Sequence, residues 1–288
     1  MPCAPAAEPE TEVFSYSKWS ANLVELARVY RGGKPFPHIF LPDFLEPGLV
    51  NSMAAEFPNP HSEAWTRYKH HNENKLGMAK RDLFPQHLGE VTDELNSPEF
   101  VQWLSELTGI EGLLPDPSLE GGGLHQSTQG GFLNVHTDFT MHHYHKNWRR
   151  RVNLILYMNP EWEREWGGEI ELWDEGMKQC RAKFPPLFNH ALVFSTEEGS
   201  FHGFPEPLRC PEGVSRKSLA LYYYTLEPNA HPVARSTDYR PRPGDGLANS
   251  FLIWLDKQAV DIYSRAKSRF GFSDEFASKV LSLISGDK

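Results

Sequence analysis

The chain has 288 residues, 39% hydrophobic and 12% aromatic with eight Trp, enough to bury a substantial core in one large domain and too apolar for a disordered protein. A formal charge of −9 disfavours generic nucleic-acid binding, which needs a basic surface, but leaves room for a local basic pocket. Cys3, Cys180 and Cys210 lack CxxC spacing, so neither a disulfide framework nor a zinc knuckle is expected, and a reducing cytosol suits them.

Met1 to Glu12 is rich in Pro, Ala and Glu, without the basic and apolar regions of a signal peptide. No apolar run approaches the roughly 20 residues of a spanning helix. A cytoplasmic protein without a membrane segment is the expectation. Residues 1–13 read as a disordered tail, 14–245 as one domain and 246–288 as a helical extension packed on it. From Ser17 to Tyr30, the spacing of Trp19, Leu23, Leu26 and Val29 predicts an amphipathic helix closed by Gly32 and Gly33. Phe36 to Leu41 reads as a strand and Glu46 to Phe57 as a helix. His61 to Met78 is polar and aromatic without a period, and its Trp65 to Met78 part reads as a loop covering a site. Helices are predicted near 87–96 and 98–108, the second capped by Ser97 with Pro98 at its start. After Gly121-Gly122-Gly123 the character changes. Short β-like runs at 124–128, 132–136, 151–158, 168–173, 180–184, 190–195 and 217–225 predict a sandwich, barrel or jelly roll. The last predicted helices, within 246–285, carry Phe251, Leu252, Leu255, Val260, Tyr263, Phe276, Val280 and Leu283. This stripe suits packing on the barrel, and it also suits a homodimer interface.

The chemistry concentrates at His136-Thr137-Asp138 and His202. On a strand, positions two apart share a face, so His136 and Asp138 point the same way, together with Phe132 and Asn134 unless a bulge intervenes. His202 follows the apolar strand Ala191 to Ser195 and can reach the same point from a neighbouring strand. Two imidazoles and one carboxylate on one side of a metal leave its other positions open, the arrangement of non-haem Fe(II) oxygen chemistry. An isolated HxD is common near turns; the strand context gives this one its weight. Arg216 and Ser218 share a strand face, with Lys217 on the other. A guanidinium fork and a hydroxyl suit the distal carboxylate of a dicarboxylic co-substrate.

These residues lie within a stretch, Gly131 to Tyr224, that resembles the 2-oxoglutarate/Fe(II)-dependent dioxygenases of the prolyl 4-hydroxylase-like branch. The motifs that carry the resemblance are Gly131-Phe132-Leu133-Asn134-Val135-His136-Thr137-Asp138, Arg151-Val152-Asn153-Leu154-Ile155-Leu156-Tyr157-Met158-Asn159, Trp166-Gly167-Gly168-Glu169-Ile170, Leu192-Val193-Phe194 leading to His202, and Arg216-Lys217-Ser218-Leu219-Ala220-Leu221-Tyr222. The resemblance implies a mainly β fold with flanking helices around a double-stranded β-helix, a jelly-roll or cupin-like core. It implies that His136, Asp138 and His202 ligate Fe(II), and that Arg216, Ser218 and Tyr157 bind 2-oxoglutarate. With O2, a C–H bond is then hydroxylated and succinate and CO2 are released. The carboxylate ligand argues for hydroxylation over halogenation. Desaturation, cyclisation and demethylation stay open, as does the choice among a small molecule, an amino acid and a prolyl or peptidyl substrate.

After the HxD, three His and three Arg fall within residues 142–151. They read either as a loop for an acidic or polyhydroxylated substrate group, with His142, Arg149, Arg150 and Trp166 as the substrate candidates, or as a solvated connection. Gln126 and His125 are further candidates for the mouth, and Asn134 and Thr137 for supporting the ligands. Two other classes compete. A non-catalytic cupin-like binding protein has no need of Arg216 with Tyr157. A zinc hydrolase can use the same triad but leaves the dicarboxylate site unexplained.

Overall fold

The computed structural model describes residues 12–227 and 235–270. Helices α1 (Tyr16–Ser20), α2 (Leu23–Gly32), α3 (Pro47–Ala55), α4 (Gln86–Leu95) and α5 (Pro98–Thr108) lie in the first part of the chain and α6 (Leu247–Phe270) at the end of the described residues. The strands are β1 (His38–Leu41), β2 (Thr66–His70), β3 (Glu73–Met78), β4 (Leu114–Pro115), β5 (Gly123–Ser127), β6 (Phe132–Thr137), β7 (Trp148–Tyr157), β8 (Ile170–Trp173), β9 (Cys180–Phe184), β10 (His190–Ser195), β11 (His202–Phe204), β12 (Arg216–Leu226) and β13 (Asp238–Tyr239). They pair in the order β1-β10-β7-β12-β5-β3-β6-β11-β8-β9, with β2 beside β3, β4 beside β12 and β13 beside β6. Every pairing is antiparallel. The sheet curls around a cavity of about 440 Å³ that residues of β2, β3, β5, β6, β7, β8, β11, β12 and β13 all line. This is the expected jelly-roll core, mainly β with flanking helices.

Strand period two decides what faces the cavity. Val152, Leu154 and Leu156 of β7 and Leu219, Leu221 and Tyr223 of β12 join the apolar cluster that also holds Leu88, Val91, Phe100, Trp103 and Leu104 of α4 and α5. The intervening Asn153, Ile155, Ser218, Ala220 and Tyr222 line the cavity. The helices thus brace one face of the sheet and leave the other for chemistry. α5 begins where expected: Ser97 Oγ accepts from the Phe100 N–H at 3.1 Å, and Gly109, at φ 72°, ends the helix in the left-handed region.

The expected helix over 17–30 is two helices. Asn22, at φ −122° and ψ 18°, separates them and lets each pack independently. The buried residues are Trp19, Ala27 and Tyr30, while Val29 is exposed, so the true stripe is rotated from the one its apolar residues suggest. Residues 66–78 are not an irregular loop but the β2–β3 hairpin. One side of it meets solvent and the other a polar cavity, so it lacks the apolar alternation that marks a strand.

The beginning of the expected tail, 1–11, lies outside the described residues, whereas Val13 and Phe14 already pack on the core. Residues 271–288, with Phe276, Val280 and Leu283, also lie outside them. α6 docks through Ile253, which is buried, and through Asn249 and Asp256. Of the stripe expected to pack, Phe251, Leu252 and Leu255 are exposed, and Phe251 stacks on Trp254, while the side chains of Val260 and Tyr263 lie outside those described. Among the described residues, no helix is long and apolar enough to cross a membrane. Cys180 and Cys210 are free thiols.

Candidate active site

β6 and β11 bring the two histidines face to face. His202 pairs directly with His136, while one step away Phe204 pairs with Leu133, so β6 carries an extra residue in a bulge. The bulge needs Gly203, where a Cβ would lie 2.7 Å from the Leu133 carbonyl oxygen and 2.8 Å from that of Asn134. It also changes the face: Leu133, His136 and Asp138 line the cavity, and Phe132 and Asn134 do not.

Asp138 lies just past β6. Its Oδ1 is 3.7 Å from His136 Nε2 and its Oδ2 3.5 Å from His202 Nε2. One ligand atom from each of the three residues falls within 4.8 Å of the others. Ligands each about 2.1 Å from one ion are typically about 3 Å apart, so a small inward movement closes the set. The tautomers suit a metal. Nδ1 of His136 donates to the Asn134 carbonyl at 2.8 Å and Nδ1 of His202 to that of Ser200 at 2.9 Å, which leaves both Nε2 lone pairs facing Asp138. Burial pushes His202 down to about 4 against the pull of Asp138. Burial would raise the Asp138 carboxyl, but Arg150 first, then His202 and His136, hold it well below the usual carboxylate range. A carboxylate and an uncharged His202 imidazole, both in ligand form, therefore prevail at neutral pH.

Two residues of β7 fix that carboxylate. Asn153 Nδ2 donates to Asp138 Oδ2 at 2.8 Å, and Arg150 Nη2 lies 3.2 Å from the same oxygen. Arg150 Nε donates to Asn153 Oδ1 at 2.8 Å, and its guanidinium lies 3.3 Å from the Tyr222 ring centre and 4.7 Å from that of Phe139. Although the side chain is buried, Nη1 and Nη2 find no aligned hydrogen-bond acceptor. Asn153 was not among the candidates from sequence, although its position two residues before Ile155 and four before Tyr157 on one strand face could have marked it.

On the far side of the cavity, Arg216 is buried with no carboxylate beside it among the described residues, and burial pushes its guanidinium below its usual range. Nε donates to the Gly168 carbonyl at 2.9 Å and Nη2 to the Tyr157 hydroxyl at 3.3 Å. Gly168 is required: at φ 76°, a Cβ there would sit 2.7 Å from Leu208 and 3.1 Å from Arg216. Ser218 lines the cavity one pleat along, and Lys217 lies on the opposite face near the Phe57 ring.

The basic stretch divides. Arg150 faces the cavity, whereas Arg149 is exposed and Arg151 reaches Thr225 at 3.4 Å. His142 is buried behind the wall, 3.3 Å from Asp116; His143 lines the cavity, 3.0 Å from Glu120; His145 stacks on Trp148. Trp166 packs edge-on against Trp162 and stays out of the cavity. Three of the four substrate candidates, Arg149, His142 and Trp166, are therefore misplaced as lining residues, because strand alternation and loop packing turn them away. Of the two mouth candidates, His125 lines the cavity and is pushed down to about 3 by burial and by Lys75, whereas Gln126 points away and donates to Ser215.

The β2–β3 hairpin adds His70, whose Nδ1 is 2.7 Å from Asp256 Oδ2 on α6 and whose Nε2 is 2.9 Å from Glu73 Oε1 on β3. Carboxylates only accept, so both ring nitrogens donate. Burial opposes the charge, but these bonds win and push His70 up to about 9. A folded value above the unfolded one stabilises the protein fully below about 6.5, and the gain is lost as pH rises through about 9. Glu73 is also paired with Lys75 and stays ionised throughout, and the ring of Tyr239 packs beside His70. Relative to His70→Gln, the parent should lose at most about 3 kcal/mol of unfolding free energy between pH 6.5 and 9.5. Parallel denaturant curves with no such difference would refute the paired imidazolium.

Residues 122–224 match the family model of the 2OG-Fe(II) oxygenase superfamily. The chain is 26% identical over 200 residues to a protein named prolyl 3-hydroxylase OGFOD1 from Mus musculus, covering 66% of this chain and 33% of that protein. It is 25% identical over 267 residues to the Xenopus laevis protein of the same name, covering 88% of this chain and 48% of that one. The chain thus spans less than half the length of these curated relatives. In fold it is similar to a Trichoplax adhaerens prolyl hydroxylase solved with a hypoxia inducible factor peptide fragment, with a TM-score of 0.52 at 14% identity over 73% of this chain and 93% of that one. The matched segment takes in both halves of the site, the His136, Asp138 and His202 cluster and the Arg216 pocket, so the similarity to the 2OG-Fe(II) oxygenase superfamily falls on the part of the chain that builds the cavity.

Proposed function

We propose that this protein is an Fe(II)- and 2-oxoglutarate-dependent dioxygenase that hydroxylates a C–H bond, with His136, Asp138 and His202 holding the metal. The observation that carries this reading is Arg216, a buried guanidinium without an acidic partner among the described residues, opening into the same cavity as the triad. A buried cation is costly unless paired, and a dicarboxylic keto acid supplies the missing anion. A zinc hydrolase or a cupin-like binding protein leaves that cation unexplained.

Iron, when bound, supplies oxygen activation coupled to decarboxylation of 2-oxoglutarate to succinate and CO2. The chain's own residues orient and exclude. Arg216 takes the distal carboxylate through its guanidinium, aided by the Ser218 and Tyr157 hydroxyls. Asn153 and Arg150 hold Asp138 in one orientation. The remaining Arg150 donors, fixed between Tyr222 and Phe139, offer a carbonyl or carboxylate oxygen of the primary substrate a place beside the triad. The names of the two relatives support a prolyl residue as the first substrate to test. A homodimer through α6 is a further part of this reading, supported by the exposed Phe251, Trp254 and Leu255.

The test is an anaerobic titration of the metal-free protein with Fe(II) and then 2-oxoglutarate. A visible charge-transfer band that saturates with the keto acid is expected. Folded, iron-loaded protein that shows no band would remove the keto acid from the proposal.

A further inference from the structure

α6 reaches the triad through a continuous hydrogen-bond relay centred on the buried Asn72. Asp256 Oδ2 on the helix accepts from Asn72 Nδ2 in the hairpin turn at 2.6 Å, and the Ile253 carbonyl accepts from the same amide at 3.2 Å. Asn72 has no exposed surface and turns its Oδ1 to Asn134 Nδ2 at 3.0 Å, while its own carbonyl accepts from the Asn134 N–H at 2.8 Å. The Asn134 carbonyl is the acceptor for His136 Nδ1. A second connection runs beside it. β13 pairs with β6 so that Tyr239 lies opposite His136, their ring centres 5.4 Å apart, and an ion pair from Lys257 on α6 to Asp238 holds β13 in place.

Resting on the reading of His136, Asp138 and His202 as metal ligands, we infer that Asp256 and Asn72 are positioning residues for the metal, so that docking of α6 sets the orientation of His136. The physical reason is directional. A histidine presents its Nε2 lone pair only while Nδ1 carries the proton and keeps its acceptor. That acceptor is the carbonyl of Asn134, the residue that Asn72 holds through both its backbone N–H and its side-chain amide. The direction in which the Asn72 amide faces is settled by Asp256, because a carboxylate can only accept. Nothing near the HxD reveals this dependence, since Asp256 lies 120 residues beyond His136. The helix expected to be an accessory packed outside the domain is part of the site.

The test uses Co(II), a redox-stable probe, with the purified full chain. Affinity is read by calorimetry and ligand geometry by the visible ligand-field spectrum. Asp256→Ala is expected to bind Co(II) about 10- to 100-fold more weakly with an altered spectrum, the usual effect of losing a partner behind a ligand. Asp256→Asn, which retains an acceptor for Asn72, should recover most of that loss. Leu247→Ala, at the exposed start of α6 and outside the proposed dimer face, should match the parent. A folded Asp256→Ala with parental affinity and spectrum overturns the inference. If Asp256→Ala does not fold, Asn72→Ala cuts the relay while leaving the His70–Asp256 pair, and carries the same expectation and the same refutation. If instead the parent binds no Co(II), or His136→Ala binds it as the parent does, the metal-site reading itself fails.

Discussion

Asp138→Asn should leave a folded protein that no longer retains iron through gel filtration and forms succinate at least about 10³-fold more slowly than the parent. The ligand charge accounts for the size: a bound metal contributes several kcal/mol of electrostatic stabilisation, and each 1.36 kcal/mol is a factor of ten in rate. Asparagine is the informative choice. Alanine would remove the oxygen that accepts from Asn153 as well as the charge, and a buried donor left unsatisfied costs about 1–3 kcal/mol. That loss would confuse misfolding with loss of chemistry. Asparagine keeps the volume and an acceptor for Asn153 Nδ2 while removing the anion that makes the site a cation site. His136→Ala and His202→Ala should match it within a few-fold, because losing any of three ligands opens the same set. Parental iron content and turnover in Asp138→Asn would place the metal elsewhere.

Arg216→Met is expected to move activity and stability in opposite directions. A bidentate guanidinium–carboxylate contact comprises two charge-assisted hydrogen bonds, each worth roughly 1.5–3 kcal/mol. The variant should therefore raise the 2-oxoglutarate requirement by two to three orders of magnitude, with a smaller effect on the affinity for iron alone. The ligand-free protein should become more stable, by on the order of 1 kcal/mol, since methionine removes a buried cation that has no acidic partner among the described residues and fills similar space. Arg216→Lys should recover only part of the keto-acid binding, because an ammonium cannot form the fork. Apparent KM for 2-oxoglutarate and the midpoint of denaturant unfolding, measured on the same preparations, test both halves. An unchanged KM would remove Arg216 from the co-substrate site, and a large loss of stability would show that the guanidinium is structural.

The parts that could be read from residues alone are those in which a short stretch dictates its own geometry. Val152 to Tyr157 and Leu219 to Tyr224 alternate core-facing and cavity-facing side chains because the strand period is two, which also sets Arg216 and Ser218 on one side and Lys217 on the other. Ser97, Pro98 and Gly109 mark the ends of α5 by local hydrogen bonding and dihedral preference. Where polarity is not an outward signal, this reading fails. Thr66 to Met78 form strands whose polar residues face a polar cavity, and the bulge at Gly203 changes the face of Asn134.

Local pattern thus marked a sandwich, barrel or jelly roll and singled out His136, Asp138, His202 and Arg216 as candidates, and the family resemblance narrowed the fold to the jelly roll. Folding alone decided which of Arg149, Arg150 and Arg151 enters the cavity, that Asn153 grips Asp138, and that Asn72, Tyr239 and Asp256 stand behind His136. These contacts join β6 to segments far away in the chain, and their strength depends on burial and on the direction of each donor. Neither exists until the sheet has curled and α6 has docked, because a hydrogen bond is specified by where its two ends meet and not by how far apart they lie in the chain.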